Sequence, residues 1–391
     1  MIVCVGLVVT GVLDWKTAFS GFIDSNVILF VAMFIVGGAL FETGMANKIG
    51  GIVTHFATSE KQLIIAIMVI VGFMSGVLSN TGTAAVLIPV VIGIAAKSGY
   101  SRSRLLMPLV FAAAMGGNLS LIGAPGNLIA QSAMQEIGKS FGFFDYGLVG
   151  LPILIVGTIF YATIGKRFLP DAPSHQPDGA FEGNDDYSHI PSWKKWVSAL
   201  VLILTVVAMI FEKQLGVKLY VSAWVGALVL VATNVISESA AVKSIDMKTI
   251  MLFAGSMALG DAMVKTGTGA VVADLIVNSL GASPSPIIVL VVVFVLGVFM
   301  TNFMSNTATC ALLVPIGLSL ASQLGFDPKA VLAAIVIASS LAYATPIGMP
   351  ANTMVYNIAG YSFMDYVKAG LPLIVVSSIV ALVLLPILFP F

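Results

Sequence analysis

Two polar tripeptides break runs that are otherwise apolar. Ser79-Asn80-Thr81 interrupts the run 62–96, and Ser305-Asn306-Thr307 interrupts the run 284–322. Two further long runs, 104–133 and 329–357, each hold a Gly/Pro/Asn cluster: Gly123-Ala124-Pro125-Gly126-Asn127 and Gly348-Met349-Pro350-Ala351-Asn352. A helix that restarts after such a break presents unpaired N–H groups and about half a positive charge, which suits an anion. Hydroxyls, side-chain amides and freed carbonyls are the hard oxygen ligands that sodium takes. No Lys, Arg, Asp or Glu lies at any of the four breaks. An anion there must be held by backbone dipoles, Asn and Thr side chains, and co-bound cations.

Other chemistries have weaker signals. One Ser-Asn-Thr is usually a helix cap; two at matched places, with Pro89 and Pro315 following, point to a site. Proton-coupled carriers keep an ionisable group at depth. The candidates here, Glu42, Glu136 and Asp261, lie toward span ends, and Lys265 follows Asp261 in the favourable order for a helical ion pair. Sodium coupling is therefore expected. Cys4 and Cys310 read as packing residues, and His55, His175 and His189 fall in polar connections without metal-ligand spacing. Gly267-Thr268-Gly269 lacks the strand of a dinucleotide site. The sequon Asn118-Leu119-Ser120 lies inside a span.

The elements that must position these residues are membrane helices. Apolar residues make up 59% of the chain and charged ones 9%, with a mean hydropathy of +1.06; soluble chains carry roughly 25% charged residues. Disorder, disulfide scaffolds and nucleic-acid binding are excluded by this composition and by zero net charge. The apolar runs lack the period-2 alternation of barrel strands. Backbone broken at membrane depth is tolerated only where it is buried or lines a cavity.

The breaks also repeat. Ser79 to Ser305 is an offset of 226, Pro125 to Pro350 and Asn127 to Asn352 are offsets of 225, and Thr43-Gly44 matches Thr266-Gly267 at 223. The expected organisation is a first half over 1–166, a polar cytoplasmic linker over 167–191 and a second half over 192–391. Treating 62–96 and 284–322 as re-entrant hairpins puts 12 of the 18 Lys and Arg on one side, which is then cytoplasmic. The two hairpins enter from opposite sides and the carboxyl terminus is extracytoplasmic. Inverted repeats with paired broken segments indicate a secondary transporter with a midplane site. The stretches 43–61 and 265–283 have the pattern of interfacial helices. By the 223 offset Met1 corresponds to Trp224, so a further amino-terminal helix is expected.

The doubled Ser-Asn-Thr, with Gly116-Gly117…Gly123-x-Pro125-x-Asn127 and Thr345-Pro346-Ile347-Gly348-x-Pro350-x-Asn352, resembles the divalent anion:sodium symporter family of the Ion Transporter superfamily over essentially the whole chain. The resemblance implies an all-α polytopic fold in a multi-pass plasma (inner) membrane protein. It implies a homodimer with an elevator mechanism, and cotransport of Na+ with a dicarboxylate, citrate or sulfate. Residue by residue, Ser75, Ser79, Asn80 and the Gly123 backbone match a first sodium site; Thr301, Asn306 and the Gly348 backbone match a second. Asn80, Thr81, Asn306 and Thr307 match substrate contacts, beside Pro125 and Pro350. The family's Thr-Pro-Pro pattern is altered here: Ala124 and Met349 replace threonines, and Gly126 and Ala351 replace prolines. An anion exchanger and an oxyanion permease are the competing readings; no nucleophile, base or metal cluster suggests an enzyme.

Overall fold

The computed structural model describes residues 1–51, 59–174, 187–280 and 284–391. Helices are the only regular structure among these residues. In chain order they are α1 (Ile2–Val9), α2 (Trp15–Ser20), α3 (Ser25–Glu42), α4 (Met45–Gly51), α5 (Glu60–Ser75), α6 (Asn80–Ser98), α7 (Arg102–Gly116), α8 (Pro125–Glu136) and α9 (Gly147–Ala162). After the linker come α10 (Ser192–Ile210), α11 (Leu219–Ala232), α12 (Glu238–Lys243), α13 (Met247–Thr266), α14 (Thr268–Leu280), α15 (Pro286–Thr301), α16 (Asn306–Leu324), α17 (Pro328–Ser339), α18 (Pro350–Ala359) and α19 (Phe363–Leu388). Single turns at 21–23, 165–168, 187–189 and 212–215 complete the described chain.

Local chemistry sets the starts. Asp24, Ser59, Ser79, Ser101, Asp246, Ser305, Asp327 and Ser362 each accept a first-turn N–H at an N-cap. Behind α6 and α16 the chain turns through Gly99 and Gly325 at φ +77° and +72°, where a side chain would be strained.

The runs 62–96 and 284–322 resolve into the arms α5/α6 and α15/α16, and 104–133 and 329–357 into the broken pairs α7/α8 and α17/α18. Of the stretch 43–61, α4 is helical and 52–58 lies outside the described residues; of 265–283, α14 is helical and 281–283 lies outside; of the linker, 175–186 lies outside. The short helices α2 and α12 carry no apolar period and are not evident in the sequence.

The centre is α7 and α17. From Leu105 to Gly116, and from Ala330 to Ser339, every residue is buried. A helix apolar all round belongs in the middle of a bundle. The arms α5 and α6 pack on α7, and α15 and α16 on α17. At the periphery α10 and α11 pack on α3 and on each other, and their outer faces expose Leu200, Ile203, Leu204, Val225 and Leu228. Contiguous apolar exposure of this kind suits lipid. Five helices among the described residues are long and apolar enough to cross a bilayer.

Cross-links fix the relative direction of the broken helices. Ser103 Oγ donates to Ala359 O (2.8 Å) and Tyr361 OH to Ser103 O (2.7 Å), joining the start of α7 to the end of α18. Lys139 pairs with Asp327 (2.8 Å) and Lys329 with Asp145 (2.6 Å), joining the chain beyond α8 to the start of α17. The pairs α7/α8 and α17/α18 therefore run antiparallel. Partial burial works to raise the Asp327 pKa, but the Lys139 ammonium and the Lys329 N–H outweigh it and hold the carboxyl below its ordinary value. At the opposite end Arg104 pairs with Glu60 and Asp171. Each of these ion pairs joins loops that the charge count put on one side.

Candidate binding site at four helix starts

The two breaks are stitched by the same hydrogen bonds. Asn127 Nδ2 donates to Gly117 O (2.9 Å) and Ser120 O (2.7 Å), which closes the loop between α7 and α8. Asn352 Nδ2 donates to Ala342 O (2.7 Å) and Thr345 O (3.0 Å) between α17 and α18. Ser120 Oγ donates to Gly76 O, and Thr345 Oγ1 donates to Asn302 O. Tyr146 OH and Tyr366 OH donate to the carbonyls of Asn127 and Asn352. Such bonds let broken backbone persist at depth, because a buried carbonyl without a donor costs about 1–3 kcal/mol. The amide oxygens of Asn127 and Asn352 are both buried and unpartnered among the described residues.

The hairpin tips face the breaks. Ser79 Oγ accepts the Gly82 N–H (3.1 Å) and Ser305 Oγ the Ala308 N–H (3.2 Å), so both serines act as helix caps. One cavity of about 640 Å³ is lined by Ser79, Asn80 and Thr81, by Ser305, Asn306 and Thr307, and by Pro125 and Pro350. The starts of α6, α8, α16 and α18 thus converge on one space, and all six residues expected to touch an anion line it. Most of the remaining wall comes from α3 and the start of α13, with Phe30, Phe34, Phe41, Glu42, Asp246 and Lys248, and Ser339 and Ser340 add the end of α17.

The residues expected to hold cations do not all line the cavity. Ser75, Thr301, Gly123 and Gly348 sit buried behind it. Ser75 Oγ lies 2.7 Å from both Asn80 Oδ1 and Ala113 O. Thr301 Oγ1 meets Asn306 Oδ1 at 3.0 Å and also reaches Ser339 O. Each hydroxyl has one proton for two oxygen acceptors, so lone pairs are in surplus at both places. One amide atom of Asn306 lies 3.1 Å from Gly348 O and 3.0 Å from both Ser339 O and Thr301 Oγ1. With nitrogen there the amide donates to these oxygens; with oxygen there, it stands among three other oxygens whose only donor is the Thr301 hydroxyl. Gly123 and Gly348 are needed for the fit: a Cβ would come within 2.5 Å of Gly117 O in one case and of Thr301 O in the other.

Three features were not foreseen. The carbonyls of Ala113 and Ser339 complete the oxygen groups, and no residue type signals a carbonyl. Lys248 lines the cavity although the sequence marks it only as a charge at the lysine-rich end of a span; its mark is the capping pattern Asp246-x-Lys248 at the start of α13. The expected pair between Asp261 and Lys265 does not form. Asp261 instead lines a narrow gap with Glu136 between α13, α8 and α16, while Lys265 lies exposed in the last turn of α13.

The sequence profile of the citrate transporter (CitMHS) family matches residues 1–316 and 206–391. The chain belongs to this family. It is a multi-pass membrane protein with a transport role, and the Ion Transporter superfamily membership indicated by the doubled Ser-Asn-Thr holds. An uncharacterised transporter, YfbS of Escherichia coli, is 24% identical, covering 100% of this chain and 95% of its own. The sodium-dependent dicarboxylate transporter SdcS of Staphylococcus saprophyticus is 22% identical, covering 93% and 76%. The fold is that of the Alcanivorax borkumensis YdaH transporter, at a TM-score of 0.68 and 17% identity over 98% of this chain and 87% of that one.

Proposed function

We propose that this secondary transporter couples sodium entry to symport of a small divalent anion of the dicarboxylate, citrate or sulfate class. The observation that carries the reading is the convergence of four helix starts, two of them Ser-Asn-Thr, on a single cavity. Their partial positive charges favour an anion, and Asn80, Thr81, Asn306 and Thr307 supply donors to it. The two buried oxygen groups, Ser75–Asn80–Ala113 and Thr301–Asn306–Ser339–Gly348, favour sodium close behind the anion, where each charge offsets the other. The name of the SdcS relative agrees with sodium coupling.

The antiparallel broken helices support an inverted repeat with halves 1–166 and 192–391 about the linker 167–191. An elevator in a homodimer fits this plan. Helices α3, α10, α11 and α13 form a fixed frame, the hairpins and broken helices carry the cargo, and α4 and α14 link the two. The protein lies in the plasma (inner) membrane with its carboxyl terminus outside. The cavity, walled by Glu42, Asp246 and Lys248 from the lysine-rich side, then faces the cytoplasm.

The test is uptake of radiolabelled succinate, citrate and sulfate into proteoliposomes with and without an inward sodium gradient. Sodium-driven accumulation of one of them is the expected result. Uptake that ignores sodium but needs anion inside the vesicle would make the protein an exchanger, and no uptake of any dianion would remove the reading.

A further inference from the structure

Lys248 stands out on the cavity wall for four independent reasons. Among the described residues it is the only cationic one lining the cavity, against the carboxylates of Glu42 and Asp246. Asp246 is already committed: its Oδ1 accepts the N–H groups of Lys248 (3.1 Å) and Thr249 (3.3 Å), and its Oδ2 accepts the Thr249 hydroxyl. The Lys248 ammonium has no ion-pair partner among the described residues. Lys248 is also the second residue of α13, where a cation opposes the helix dipole and costs the helix stability.

The matched place in the first half is engaged differently. Asn26 follows the capping Asp24 of α3 as Lys248 follows Asp246, and its Nδ2 donates to Ser132 Oγ and Gln135 Oε1 of α8 (both 2.9 Å). The first half commits this position to a buried helix contact; the second half leaves an exposed lysine on the wall of an open cavity.

We infer that Lys248 is a specificity-determining residue that contacts one negative charge of the anion while the helix starts hold the other. The assignment rests on the proposed anion transport. It accounts for selection of dianions by a site whose breaks carry no cationic side chain. A charge-assisted contact of this kind is worth roughly ten- to a hundredfold in affinity.

The experiment compares wild type, Lys248→Gln and Lys248→Arg, each purified and checked for monodispersity. It measures half-saturation by succinate, citrate and sulfate and competition by propionate as a monoanion, by thermal shift and by vesicle uptake. Lys248→Gln should raise the dianion half-saturation at least about tenfold, leave propionate competition unchanged, and be largely restored by Lys248→Arg. Equal dianion affinity in wild type and Lys248→Gln overturns the assignment. So does an equal loss for mono- and dianions, which would mark a general field instead of a contact. Wild type that binds none of the dianions overturns the anion reading itself, an outcome separable from the others because it needs no variant.

Discussion

The two breaks share a skeleton and differ in what they show to the cavity. Asn127 and Asn352 close their loops with matching pairs of bonds, Ser120 and Thr345 brace the carbonyls of Gly76 and Asn302, and Tyr146 and Tyr366 donate to the carbonyls of Asn127 and Asn352. Ser75 and Thr301 each sit against an Asn and a carbonyl. The cavity-facing positions diverge. Ala124 in the first half is Met349 in the second, and the Met349 sulfur lies 4.0 Å from Asn80 Nδ2, across the halves. At Gly126 a Cβ would come within 2.5 Å of Cys310 Sγ, so that side chain would have to shift to admit one; its counterpart is Ala351. The repeated buried bonds answer a need common to both breaks, whereas the unlike residues Ala124, Gly126 and Met349 line the cavity, where the proposed selection of the anion takes place.

The largest effect should come from the residues common to both halves that also face the cavity. Asn80→Ala and Asn306→Ala are each expected to lower uptake more than a hundredfold at unchanged expression and monodispersity, because each removes an amide from a helix start and from an oxygen group together. Uptake at wild-type rates in either variant would break the equivalence and remove that residue from the site.

Next come the stitching amides. Asn127→Ala and Asn352→Ala each leave two buried carbonyls without their donor, an expected loss of about 2–4 kcal/mol. The two variants should melt at similarly lowered temperatures in detergent. A large drop for one and none for the other would show that only one break needs its brace.

Ser75→Ala and Thr301→Ala sharpen the comparison further. Each takes one hydroxyl from one oxygen group and leaves the cavity surface unchanged. The expected result is a sodium requirement raised about three- to tenfold with anion selectivity retained. Sodium dependence unchanged in both would detach these hydroxyls from coupling.

Much of this was legible in the sequence, for identifiable reasons. Tripeptides such as Ser305-Asn306-Thr307 stand out against apolar runs, so the breaks and the helices around them fall within a few residues of their expected places. The offset of 225 between Asn127 and Asn352 recurs in the matched hydrogen bonds that their amides make. Other parts depend on which chain ends meet in space. Lys248 looks like any lysine at a span end until the start of α13 is seen to line the same cavity as Asn306 and Thr307. Asp261 has a partner four residues on, yet the packing of α13 against α8 sets it beside Glu136 in a narrow gap. The carbonyls of Ala113 and Ser339 have no signature, since every residue has one.

The smallest effect tests the divergent positions. Ala124 and Met349 each begin the turn into a helix whose free N–H groups face the cavity, and neither side chain can donate to an anion. Met349 also covers the Asn80 amide, so a carboxylate approaching that amide must displace a thioether. Replacing both with threonine restores two hydroxyls at the helix starts and removes the sulfur from Asn80. The gain from a neutral donor is offset by desolvation of the hydroxyl, so the double variant Ala124→Thr/Met349→Thr should bind succinate only about three- to tenfold more tightly. Competition of succinate against the transported anion reads this directly, and the single variants apportion it. Met349→Thr should contribute the larger share, because it alone both adds a donor and uncovers one. Equal contributions would show that the hydroxyls act alone, and no gain would mean that specificity is set by the wall around Lys248 and not at the breaks.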